Sequence, residues 1–175
     1  MELKELTERT MSLFCVTDIS QLGEALLNAC SDKDKLRAFR DLVSNDLTVD
    51  WLQKIYQYYL ADRAEKKQDY TPHSIATLTG MLAGDSDKII DLCAGSGALI
   101  IKKYACNPDI HFTAVEIDEK VIPFLLFNMV IRNIRCRVFQ MNALAGEEPE
   151  KAWDIKKGEE FGNLISIESA IQYSP

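Results

Sequence analysis

The run DLCAGSGALIIKKYACNPDIHFTAVEID, residues 91–118, constrains the fold more than any other stretch. A glycine turn follows one apolar run, and an acidic residue closes the next. That spacing reads as strand, tight turn, helix, strand. Lys88–Leu92 is expected as the first strand and Gly97–Tyr104 as a helix. His111–Val115 follows as a second strand, Glu119–Ile131 as a second helix and Arg135–Met141 as a third strand. Strands alternating with helices imply an α/β fold with a parallel sheet and right-handed crossovers.

Before this run, residues 1–67 read as helices. Leu22, Ala25, Leu26 and Ala29 recur at helical spacing, as do Leu52, Ile55, Tyr56 and Tyr59. Ser31 and Thr48 stand where N-caps are expected. The charged run ADRAEKKQD, 61–69, closes this arm, and a second unit spans 68–175. There Thr71 is expected to cap a helix with Pro72 in its first turn, running to about Leu82. Gly84–Lys88 is a polar loop. The tail from Ala145 is acidic and turn-rich, with a hairpin expected around Trp153, Ile155 and Phe161 and one more strand in GNLISIESAIQYSP.

Composition excludes several classes. No apolar run approaches the ~20 residues of a membrane span, and the charged start MELKELTERT lacks a signal core. Five cysteines without a C-x-x-C pair imply free thiols in a reducing cytoplasm and no metal site. The net charge of −7 matters more. Phosphate neutralisation supplies much of nucleic-acid affinity. A chain this acidic working on DNA is expected to take that grip from a partner chain or a missing segment. Arg132, Arg135 and Arg137 stand either against phosphate or on a solvated strand edge. His73 reads as an ordinary surface or half-buried imidazole.

The turn itself points to a ligand. Gly95 and Gly97 let backbone approach a bound group, and a helix opens behind them. Glu116 ends the next strand, where a carboxylate takes the hydroxyls of a ribose. A nicotinamide dinucleotide calls for a third glycine at position 100, which is Ile100. S-adenosylmethionine (SAM) has no pyrophosphate, needs only the first turn and commonly has an acid before it, here Asp91. SAM is the favoured reading; nicotinamide and a bare structural turn are the others.

Tyr70-Thr71-Pro72 before a helix, followed about twenty residues later by DLCAGSGAL, resembles the SAM-binding block of N6-adenine DNA methyltransferases. The modification subunits of type I restriction-modification systems are the nearest likeness, over roughly residues 50–145. The resemblance implies a Rossmann-like methyltransferase sheet, truncated, behind an N-terminal helical arm. It implies that Tyr70, Thr71 and Pro72 line the methionine end of SAM. Asp91, Ala94, Gly95 and Gly97 form the turn beneath it. Glu116 binds the ribose, Ile117 packs on the adenine, and Asn142 hydrogen-bonds the adenine where Asp is more usual.

That family holds the target amino group with an Asn/Asp-Pro-Pro-aromatic tetrapeptide after its fourth strand, with the base flipped from the duplex. The tetrapeptide is absent from this sequence. Asn107-Pro108 continues with Asp109, and Tyr173-Ser174-Pro175 has the wrong order. No catalytic residue is therefore named. The chain is expected to bind SAM either as the front portion of such a methyltransferase, cut short, or as a module beside another polypeptide, a methyltransferase or specificity subunit, that supplies the acceptor site. A non-catalytic interaction protein and a small-molecule or protein methyltransferase are the alternatives. A cut parallel sheet exposes an edge and an apolar face, to be covered by the tail hairpin or by a second copy, and dimerisation is expected.

Overall fold

A computed structural model describes residues 1–62, 70–84, 86–146 and 148–167. Four helices come first: α1 (Leu3–Leu13), α2 (Leu22–Ala29) after a short 3-10 turn, α3 (Lys33–Leu42) and α4 (Trp51–Tyr59). The expected caps shift by one or two residues. Asp32 caps α3, accepting from the amides of Asp34 and Lys35, and Asp50 caps α4, accepting from Gln53. Ser31 and Thr48 spend their hydroxyls on Asn28 O and Asp46 Oδ1 instead. A carboxylate nearer the first turn also meets the positive end of the helix dipole. The boundary expected at residues 67 and 68 lies outside the described residues.

α5 (His73–Leu82) has Pro72 at its N-cap position, with no side-chain cap, so Thr71 does not serve as one. The alternating part follows as β1 (Lys88–Asp91), α6 (Ala98–Cys106), β2 (His111–Glu116), α7 (Ile122–Ile131) and β3 (Cys136–Gln140). The second helix starts three residues later than expected from Glu119, because Asp118 turns the chain and Pro123 fixes the first helical turn. A hairpin completes the sheet, β4 (Lys151–Lys156) and β5 (Asn163–Ile167). The order is β1-β2-β3-β4-β5, with β1, β2 and β3 parallel and β4 and β5 antiparallel. Trp153 and Ile155 lie on β4, and Phe161 sits in the connecting turn. The hairpin thus covers the β3 edge, while β1 has β2 as its sheet neighbour among the described residues.

Register explains the core. Ile89, Phe112, Cys136, Ile155 and Leu164 are paired neighbours in one row across all the strands. Side chains in such a row share one face of a sheet. All belong to, or pack against, one apolar cluster that also holds Leu6, Leu26, Phe39 and Leu52 from the arm. At its centre, α7 is buried on nearly every side, as expected of a helix apolar all round. Phe127 of α7 meets Phe14 and Phe39 edge-on at 5.5 and 5.3 Å. The hairpin is tied down separately: Asn133 exchanges hydrogen bonds with Gly158, and Glu160 pairs with Arg37 and Arg40.

Candidate functional site

The site forms where β1, β2 and β3 end. Gly95 and Gly97 both adopt positive φ, 55° and 96°. At Gly97 a Cβ would stand 2.7 Å from Met129 Cε and 2.9 Å from Leu125 Cδ1, so the turn packs tightly against α7 and a larger residue would have to displace those side-chain tips. At Gly95 the backbone lies against the Tyr70 ring, 3.4 Å from where a Cβ would stand. Ala94 is buried, and its amide donates to Val115 O, pinning the loop to β2. Ile100 is 2% exposed, so α6 presents a buried aliphatic side chain where a dinucleotide loop would want glycine.

Glu116 closes the turn from the other side. Its Oε2 accepts from the Gly95 amide at 2.8 Å and its Oε1 from the Asp118 amide at 2.8 Å. Its carbonyl accepts from the Met141 amide, which sets Asn142 next in line at the end of β3. Asn142 is exposed and forms a local turn, its Oδ1 accepting from the Leu144 amide. Ile117 is 62% exposed beside Glu116. Asp91 is half-buried: Oδ1 accepts from the Cys93 amide, and Oδ2 is buried without a hydrogen-bond partner. Burial raises its pKa above the usual carboxylate range, with the Cys93 amide opposing. Burial, reinforced by Tyr56 and by the carboxylates of Glu116, Asp118 and Asp50, also raises the Tyr70 phenol, which stays neutral. Thr71 contributes its carbonyl, accepting from Gln53 Nε2, and Pro72 starts α5. The structure therefore gathers Tyr70, Ala94, Gly95, Gly97 and Glu116 around one turn, with Ile117 and Asn142 on neighbouring strand ends.

Sequence reasoning missed the polar group behind the turn. Asp50 is 5% exposed; its Oδ2 accepts from Ser96 Oγ at 2.7 Å and its Oδ1 from Asn128 Nδ2 at 3.0 Å. Asn128 Nδ2 also donates to Ser96 O, and Arg132 donates to Asn128 Oδ1, Leu47 O and Val49 O. Arg132 is thus neither a phosphate contact nor a solvated edge residue, since its guanidinium is buried and spent on internal carbonyls. Arg137 pairs across strands with Asp154 at 3.8 Å, leaving Arg135 as the exposed member of that trio. Tyr56 donates to Asp118 Oδ2 at 2.8 Å. The imidazole of His73 and the segment Tyr173–Pro175 lie outside the described parts. Among the described residues no His, Cys, Asp or Glu cluster could hold a metal, and no helix is long and apolar enough to cross a membrane.

The sequence model of the family described as N-6 DNA Methylase matches residues 47–157, from the loop before Asp50 to just past β4. The chain belongs to that family. The matched stretch holds the glycine turn, Glu116, Asn142 and the Asp50 group alike. Membership makes it a relative of enzymes that methylate DNA. No curated protein and no solved structure matches the chain.

Proposed function

We propose that the chain is the cofactor-holding part of a DNA adenine-N6 methyltransferase, built on a Rossmann-like sheet, and that its ligand is SAM. The observation that carries this reading is the Glu116 carboxylate, held at the end of β2 by the Gly95 and Asp118 amides. Each carboxylate oxygen keeps a second lone pair, so the two hydroxyls of a ribose meet acceptors already fixed in place. Asp91 supports it: an ammonium group would satisfy the buried, unpartnered Oδ2 and relieve the raised pKa. The buried Ile100 argues against a dinucleotide.

SAM supplies an electrophilic methyl group on a sulfonium. This chain's residues bind and orient it. Tyr70, Thr71 and Pro72 flank the amino-acid end, Ala94, Gly95 and Gly97 form the floor, Ile117 offers an apolar face to the adenine, and the Asn142 amide offers it a donor. The acceptor side is different. The sequence contains no Pro-Pro pair, hence no tetrapeptide to hold an adenine amino group, and its net charge is −7. DNA grip and the acceptor groups are assigned to a further polypeptide segment. Exposed Ile90, Leu92, Met81 and Leu82 on the β1 and α5 flank favour such association.

Titration calorimetry with SAM and S-adenosylhomocysteine tests the cofactor assignment. Both are expected to bind in the micromolar range, and Glu116→Ala to weaken binding about tenfold or more, as for loss of hydrogen bonds to a charged group. Binding of a nicotinamide dinucleotide in their place, or no binding by folded protein, would overturn it.

A further inference from the structure

We infer that Asp50, in the helical arm, is a positioning residue for the cofactor turn, acting through Ser96, so that the arm sets the affinity of a site it does not line. The inference rests on the SAM reading of that site.

Ser96 is the residue between the two positive-φ glycines, and it is 1% exposed. Both of its polar ends are held from below, its hydroxyl by Asp50 Oδ2 and its carbonyl by Asn128 Nδ2. Asp50 is in turn fixed at the first turn of α4 by the Gln53 amide and by Asn128. Arg132 locks the orientation of Asn128 through its Oδ1 and holds the arm by the carbonyls of Leu47 and Val49. A second strut runs from the same helix: Tyr56 holds Asp118, whose amide holds Glu116. The turn and its ribose acceptor are thus braced from α4 at two points.

Energetics favour geometry over stability as the purpose. Burial raises the Asp50 pKa while Arg132, Ser96, Gln53 and Asn128 lower it, with burial the largest influence. Desolvating a carboxylate and a guanidinium often costs more than apolar packing of the same volume, whereas buried polar groups can fix one arrangement over its competitors. Glycines on both sides of Ser96 widen the choice of backbone conformations. A node that engages both ends of that one residue removes the choice before ligand arrives, which lowers the ordering cost of binding.

The test combines calorimetry with hydrogen exchange of the Gly95 and Gly97 amides in ligand-free protein. Ser96→Ala removes the loop side of the node while leaving Asp50 its bonds to Gln53 and Asn128. It is expected to weaken SAM and S-adenosylhomocysteine about tenfold and to speed exchange at the two glycines, with β3 and α7 unchanged. Asp50→Asn keeps the shape and a hydrogen-bonding group facing Ser96, and is expected to retain most of the affinity. Unchanged affinity in Ser96→Ala, or exchange raised equally throughout the chain, would overturn the inference. Wild-type protein that ignores SAM while Ser96→Ala still loosens the glycines would sink the cofactor reading and keep the brace. If neither effect is seen, both fall.

Discussion

The two flanks of the glycine turn are built on different principles. Toward the arm, the face behind the turn is packed: α7 is buried along its length, three phenylalanines interlock, and Asp50, Asn128 and Arg132 engage one another's polar groups. Toward β1, apolar side chains face outward. Ile90 is 64% exposed, Leu92 59%, Met81 70% and Leu82 74%, beside a cavity of about 350 Å³ lined by Ile89, Asp91, Leu99 and Phe112. Among the described residues, one flank is packed and the other leaves apolar side chains exposed. The glycine turn lies on the seam between them, with Ser96 anchored in the packed flank and Asp91 lining the open one.

Three substitutions would break or sharpen that contrast. The largest effect is expected in the packed flank, where Arg132→Ala removes the buried cation that offsets the Asp50 charge and leaves the Leu47 and Val49 carbonyls without their donor. Loss of one partner of a buried pair typically costs about 3–5 kcal/mol, to be measured by urea unfolding. On the seam, Asp91 titrates with a raised pKa because it is buried. The folded protein then takes up its proton at a higher pH than the unfolded chain. Stability should rise as pH falls from neutral through the raised folded value toward the unfolded one, about 3.9. Asp91→Asn should therefore stabilise at pH 7, with the gain shrinking toward pH 4; a gain independent of pH would rule out desolvation as its cause. Smallest is Met81→Lys on the open flank, expected to stay within about 0.5 kcal/mol, as surface changes do. A loss well beyond that in the isolated chain would mean that the flank is covered in solution, for instance by a second copy.

The order of strands and helices was legible because each glycine, proline and apolar run around the turn serves one local rule. Gly97 is the clearest case, since the sequence requires a turn there and the structure gives it a φ of 96°, with α7 side chains where a Cβ would stand. The arm's tie to the turn was not legible from periodicity, because its contacts join residues far apart in the chain. Two signals were nonetheless present. Asp50 stands three residues before Gln53 at the head of an amphipathic run, a better capping pattern than Thr48 offered. Asn128 is the lone polar residue in IPFLLFNMVI, and a polar side chain in such a helix asks for a buried partner. The Arg132 assignment failed for the same reason. A cation read by charge alone belongs to the surface, but four residues after Asn128 it shares that residue's buried face.

The Asp50 node also fixes an order of events during folding. Its hydrogen bonds span 46 residues to Ser96, 78 to Asn128 and, through Arg132, 85 back to Leu47. Closing such long loops is slow compared with forming any one helix. On the ribosome α4 is made before the sheet, and Asp50 then has its local cap to Gln53, but its bond to Asn128 waits until α7 has been made, some eighty residues later. The polar tie between the arm and the glycine turn is thus completed late, only when α7 is in place to supply Asn128 and Arg132.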